Sequence, residues 1–206
     1  MSPGPAPDGI AITPSGSFLY ATEGAKDSGF AGQVAGFSIN SNSGALTKSP
    51  GNFAKGLSAN SAVVAPSGKF LYLATSENGG AIYVYEIHVN GRLEETPGSP
   101  YGAPGRAYQM AITPSGKYVY ATGANQLLAF SVNRRTGALK QVPGSPYASN
   151  GVISVAVDST GKFLFAVAGT TLSSYKINAR NGSLTAFNGG GGQYHNARQL
   201  VVAEPH

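Results

Sequence analysis

The sequence predicts an all-β fold, a β-propeller built from four-stranded antiparallel blades, and three observations carry that prediction. First, 29 of the 206 residues are Gly and 13 are Pro. Regular structure is therefore interrupted often, and Gly inside a helix costs about 1 kcal/mol relative to Ala, which argues against a helical bundle. Second, Pro14-Ser15-Gly16-Ser17-Phe18-Leu19-Tyr20 returns in similar form from Pro66, Pro114 and Ser159, at steps of 52, 48 and 45 residues. Third, two more landmarks hold the same phase. These are SGAL, NGRL, TGAL and NGSL at 43–46, 90–93, 136–139 and 181–184, and TPGSPY and VPGSPY at 96–101 and 142–147. Four antiparallel strands in a period of this length describe a propeller blade.

Each element follows from local chemistry. The first strand is a brief apolar run, Met110–Thr113 in the third copy and Val155–Asp158 in the fourth. A Pro-Ser-Gly turn follows, in which Pro presets φ and Gly accepts a positive one. The second strand is aromatic and β-branched, as in Tyr118–Thr122 and Phe163–Val167. The third alternates, most clearly over Ala81–His88. An x-Gly hairpin leads into a short fourth strand, Leu93–Glu95 in the second copy, and a Pro/Gly-rich connection opens the next unit. The copies divide the chain into approximate blades 8–56, 57–105, 106–151 and 152–198. Residues 199–206 begin a further blade, because Gln199-Leu200-Val201-Val202-Ala203 parallels Gln109-Met110-Ala111-Ile112-Thr113.

Composition removes whole classes of function. No Cys is present, which excludes disulfide frameworks, thiolate metal sites and cysteine nucleophiles. No apolar run approaches the roughly 18 residues of a membrane span. The net charge of +5 is spread along the chain, and only Arg134 and Arg135 are adjacent basic residues, so no nucleic-acid partner is expected. The N-terminal Met1–Pro7 shows no basic and apolar leader, and the compartment stays open between cytoplasm and an exported location. His88, His195 and His206 lie in different parts of the repeat, so no metal site and no cofactor is expected. Gly-Lys at 68–69, 116–117 and 161–162 is not a phosphate loop, since neither Ser/Thr nor a helix follows.

In a propeller the first strands line a central channel, and the segments leading into them crowd one face. Here those segments supply Asp8, Asn60, Arg106, Tyr108, Gln109, His195, Asn196 and Arg198. An arginine among hydrogen-bonding neighbours suits a carboxylate or phosphate. The predicted ligand-binding set is Arg106, Tyr108, Gln109, Asn60, His195 and Gln199, facing a small-molecule, protein or glycan partner.

The pattern PSGKFLY, G-x-L and PGSPY resembles the lactonase-type propellers, among them 6-phosphogluconolactonases and carboxy-muconate cyclases, and the related YVTN-repeat propellers. The resemblance implies a seven-bladed ring and a lactonase activity. It also implies two catalytic candidates. Arg198-Gln199 falls where such lactonases carry Arg-His before a first strand, and Glu23 falls where they carry Asn-Glu after a second strand. Arg198 would then bind a substrate carboxylate and Glu23 would activate water. The sequence departs from the pattern in having Gln199 for His and Thr22 for Asn. Two functions therefore stand side by side, a binding or scaffold propeller using the channel face and a hydrolase opening a sugar-acid lactone. Three arrangements accommodate the copies: part of a seven-bladed ring, a four-bladed ring, or an arc that closes by oligomerisation.

Overall fold

A computed structural model describes residues 7–23, 32–49, 59–75, 79–103, 107–149 and 151–187. Among them the strands form four separate antiparallel sheets. The first holds β1 (Pro7–Ile12), β2 (Phe18–Glu23), β3 (Gln33–Ile39) and β4 (Leu46–Lys48), in that spatial order. The second repeats it with β5 (Ala59–Val64), β6 (Phe70–Thr75), β7 (Ala81–Ile87) and β8 (Leu93–Glu95), and adds β9 (Tyr101–Gly102) beside β7. The third has β10 (Met110–Ile112), β11 (Tyr118–Thr122), β12 (Gln126–Val132) and β13 (Leu139–Gln141), with β14 (Tyr147–Ala148) beside β12. The fourth has β15 (Val152–Val157), β16 (Phe163–Ala168), β17 (Thr171–Ile177) and β18 (Leu184–Ala186). First strands pack on first strands, β1 on β5, β5 on β10 and β10 on β15, which makes them the inner edge of the arc.

The turns behave as their sequences demand. Gly16, Gly68, Gly116 and Gly161 close the first hairpins at φ between 65° and 71°. Thr13 and Thr113 brace two of these turns, their hydroxyls accepting from the Phe18 and Tyr118 N–H at 3.0 and 3.2 Å. In the fourth copy Asp158 takes the place of Thr, and its carboxylate accepts from the N–H groups of Lys162 and Phe163, both at 2.8 Å.

The PGSPY connection, expected as loop, is partly strand. β7 pairs with β8 over Tyr85–Ile87 and with β9 over Ala81–Ile82. Between those stretches the Ser99 hydroxyl accepts the Val84 N–H at 3.0 Å, and Ser145 does the same for Ala129 at 2.9 Å in the third blade. Ser99–Pro100 and Ser145–Pro146 are cis. The serine of the motif thus satisfies a backbone donor that neither short strand reaches.

The core is not one mass but three layers, one for each pair of successive blades. Tyr20 and Val34 meet Leu71, Leu73 and Leu93; Phe70, Tyr72 and Val84 meet Met110, Val119 and Leu139; Tyr118, Tyr120 and Leu127 meet Val155, Leu164 and Leu184. Each layer is pinned by one recurrent bond. The hydroxyls of Tyr20, Tyr72 and Tyr120 donate to the carbonyls of Gly91, Gly137 and Gly182 in the next blade, at 2.9, 3.2 and 3.0 Å. Those glycines have positive φ and lie under the rings of Phe18, Phe70 and Tyr118, so a Cβ there would collide with the ring. The x-Gly hairpin is thereby a docking element as well as a turn.

Candidate functional site

The inner strands begin with an irregularity that defines the site. In β1 the pairing with β2 jumps from Pro7 to Gly9, in β5 from Ala59 to Ser61, and in β15 from Val152 to Ser154. The residue left out is Asp8, Asn60 or Ile153. In the third blade Tyr108 holds the same place in the repeat. Its backbone N–H and that of Gln109 both donate to the Thr122 hydroxyl, at 3.1 and 2.9 Å. A bulge re-aims a side chain away from the pleat, and the three bulges, with Tyr108 at the matching place in the repeat, lie at the same end of the inner strands. Ile153 was not anticipated; its signal was its phase, six residues before the turn, the same as Asn60 and Tyr108.

Side chains at this end divide between architecture and exposure. The Asn60 amide donates to the Ala107 carbonyl at 3.0 Å, reaching the third blade. The Gln109 carbonyl oxygen accepts the Val155 N–H at 2.9 Å, reaching the fourth. Ser61 accepts the Met110 N–H at 3.3 Å. Tyr108 and Ile153, by contrast, are exposed. Glu23 ends β2 opposite Gln33 and Pro7, at the same end as the bulges. Arg106, His195, Arg198 and Gln199 lie outside the described residues.

Between the third and fourth blades, at this same end, is a hollow of about 690 Å³. Asn125, Ser149, Thr171, Ser173 and Tyr175 supply its polar groups, and Ala148, Val152 and Ala168 the rest. Among the described residues its wall offers amide and hydroxyl groups with no acid and no cation. No group of His, Cys, Asp or Glu suited to a metal ion occurs among the described residues. His88 lies at the opposite end, where its Nε2 is 3.0 Å from Glu94 and 3.2 Å from Arg92. Hydrogen bonds from Arg92 and then His88 hold the Glu94 carboxyl below its usual range. This is a solvated surface cluster.

Comparison with known proteins agrees with the repeat. Residues 2–99 match the family described as lactonase, seven-bladed β-propeller, so the lactonase-type resemblance holds over the first two blades. The fold is shared with a candidate 6-phosphogluconolactonase of Bacteroides uniformis, at 21% identity and TM-score 0.78 over 93% of this chain and 56% of that one. A candidate 6-phosphogluconolactonase of Bacteroides fragilis gives 22% and 0.76, covering 95% and 57%. The periplasmic gluconolactonase PpgL of Pseudomonas aeruginosa gives 14% and 0.74, covering 93% and 58%. The chain thus spans less than two thirds of the length of each. No curated protein sequence matches it. It is an all-β, lactonase-like propeller arc, and no helix among the described residues is long and apolar enough to cross a membrane.

Proposed function

We propose that the chain is a binding propeller whose ligand sits at the channel face, over the bulged starts of the inner strands. The observation that carries this reading is the uncharged wall of amides and hydroxyls at the end of the blades that also exposes Tyr108. Such a wall exchanges hydrogen bonds with a neutral polar molecule, and an exposed tyrosine adds a flat apolar surface with a polar tip. A sugar or glycan has that chemistry. Asn60 and Gln109 contribute indirectly, since their side chains fix the spacing of the blades. A panel of neutral and acidic sugars, followed by chemical-shift perturbation, tests the reading. Shifts clustered at Tyr108, Asn125 and Thr171 that vanish in Tyr108→Ala and Thr171→Val support it; a panel without site-specific shifts rejects it.

A second reading is favoured by the place of Glu23 at the channel end of β2 and by the descriptions of the similar structures. In it the protein opens a sugar-acid lactone. Arg198, with Arg106, holds the substrate anion, and Glu23 takes a proton from water as the water adds to the lactone carbonyl. The ring C–O bond then breaks, and the departing alkoxide receives a proton to give the open hydroxy acid. Hydrolysis of an aldonolactone above the buffer rate, abolished in Glu23→Gln, would support catalysis. Rates equal to buffer across a lactone panel exclude it.

A further inference from the structure

The hollow between the third and fourth blades opens where one side chain is short. Strand β7 places Tyr83 opposite Leu73, and β12 places Leu128 opposite Ala121. Both pack into the apolar layer shared with the preceding blade. The same place in β17, opposite Ala166, holds Ser173. Serine is far smaller than leucine or tyrosine, so the packed layer stops short of the channel-face end and Ser173 becomes wall of the hollow. Thr171 and Tyr175, two residues to either side on the same face of β17, line it too. Further along the strand the packing is restored, with Ile177, Leu164 and Tyr120 buried. The hollow is thus a slot, open at the end that exposes Tyr108 and closed below. Each of its walls is a blade with all four strands described.

A second observation points to a partner for this slot. Ser149, which lines it, is held in place by its backbone. Its N–H donates to the Asn125 carbonyl at 3.0 Å, and its own carbonyl accepts the Gly151 N–H at 3.2 Å. Its hydroxyl oxygen is buried and has no hydrogen-bond partner, alone in this among the side-chain polar atoms of the described residues. Ser145, four residues earlier, shows the contrast, because its hydroxyl accepts the Ala129 N–H at 2.9 Å. Folded chains rarely leave a buried hydroxyl unpaired, since its lost hydration is then uncompensated.

We propose that the slot receives the end of a neutral glycan chain, its last sugar ring entering between the blades, and that Ser173 is the specificity-determining residue that makes room for it. The proposal rests on the reading of the channel face as a sugar-binding surface, and adds which part of the sugar is held and where. The ring's hydroxyls meet Thr171, Ser173 and Tyr175 from the fourth blade and Asn125 from the third. One of them supplies the partner that the Ser149 hydroxyl lacks. A slot closed below admits a chain end and refuses the middle of a chain, which would need a second exit. Its described wall holds no cation, so the carboxylate of an acidic sugar would lose hydration there without a charged partner.

Linear neutral trisaccharides of glucose, galactose and mannose, titrated one by one and followed by chemical-shift perturbation, test this. The expected result is that one of them shifts the amides of Asn125, Ser149, Thr171 and Ser173, and that its free monosaccharide shifts the same amides. Ser173→Leu fills the slot as Leu128 does in the preceding blade. It should hold or raise Tm while weakening that binding about tenfold or more. Ser149→Ala only removes an atom, and should raise the Tm of the free protein while weakening binding about fivefold. Trisaccharide binding that Ser173→Leu leaves unchanged overturns the slot and leaves the sugar-binding reading of the face standing. A lowered Tm for free Ser149→Ala also overturns it, by showing that the hydroxyl is already partnered. No shifts from any of the sugars overturn the reading and the slot together.

Discussion

Replacing Gly137 by Ala should be far more damaging than a positive-φ glycine substitution normally is. Two costs must be separated. Gly137 has φ +74°, and an L-residue in that region loses roughly 1–2 kcal/mol. A Cβ at Gly137 would also stand 2.6 Å from Cδ1 of Phe70 and 3.0 Å from Cε1 and Cγ. Phe70 is buried and cannot swing away. Forcing extra volume into a packed layer costs about 1–3 kcal/mol. If the hairpin retreats instead, the Tyr72 hydroxyl loses its acceptor at 3.2 Å, worth about 1 kcal/mol. Gly16→Ala supplies the baseline, because Gly16 has φ +70° and no atom within 4 Å of its Cβ position. The prediction is an extra loss of about 1–3 kcal/mol for Gly137→Ala over Gly16→Ala. At roughly 2–4 °C per kcal/mol, that is a difference in Tm of about 2–12 °C. Urea titration of both variants, alone and with Phe70→Leu, measures it. The ring-collision account predicts that Phe70→Leu and Gly137→Ala together cost less than the sum of their separate effects. Strict additivity, or equal losses for the two glycine variants, would refute it.

The remaining predictions concern the other contacts that hold blades and turns. Tyr120→Phe removes the donor to Gly182 while keeping the ring, and urea titration should show a loss of about 1–2 kcal/mol. Burial raises the pKa of Tyr20 to about 12 and pushes Tyr72 and Tyr120 higher still. A folded-state value above the unfolded one means that the stabilisation is complete below the unfolded tyrosine range near pH 10 and is lost as pH rises toward 12. Alkaline unfolding should therefore coincide with the appearance of tyrosinate absorbance from these buried rings. At Asp158 burial acts to raise the carboxyl pKa, yet hydrogen bonds from the Thr160 hydroxyl and from the Phe163, Lys162 and Thr160 N–H groups outweigh it and hold the pKa low. A lowered folded-state value gives stability that is present above the unfolded carboxylate range and lost as pH falls through the folded one. Asp158→Ala should abolish that acid limb in thermal melts, and Asp158→Thr should keep the turn as Thr13 and Thr113 do. Gln109→Leu leaves the Val155 N–H without its acceptor and should cost about 1–3 kcal/mol by chemical denaturation, whereas Tyr108→Ala should leave stability unchanged.

Much of this architecture was legible because its residues have strong local reasons. Pro-Ser-Gly reads as a turn, and the aromatic run Phe-Leu-Tyr directly after it reads as a short strand. What local patterning cannot express is who meets whom across blades. Tyr20, Tyr72 and Tyr120 read simply as strand residues, yet their hydroxyls find carbonyls 62–71 positions away. β9 and β14 were hidden for a related reason. A strand of two residues has no periodicity, and it exists only because an edge of β7 or β12 remains unpaired beyond β8 or β13. At the candidate site the limit is sharper. Asn60 and Gln109 have the polarity of ligand contacts and the right position, but a neighbouring blade carries a free backbone group within reach of each, and their amides are engaged there.

The repeat itself separates what the fold requires from what function can vary. In three of the four copies the hairpin glycine and the leucine two residues after it meet the preceding blade, and their sameness follows from facing the same kind of neighbour each time. The bulge position is the opposite case. Asp8, Asn60, Tyr108 and Ile153 are an acid, an amide, a phenol and a hydrocarbon at one structural place. A bulged residue leaves the ladder and is released from the demand for period-2 patterning, so its chemistry is free to differ from blade to blade. Repeated blades can assemble unlike groups at such a place without disturbing the contacts between them. The exposed Tyr108 and Ile153 are therefore where substitutions should alter binding without altering stability, and the glycine–aromatic contacts are where they should do the reverse.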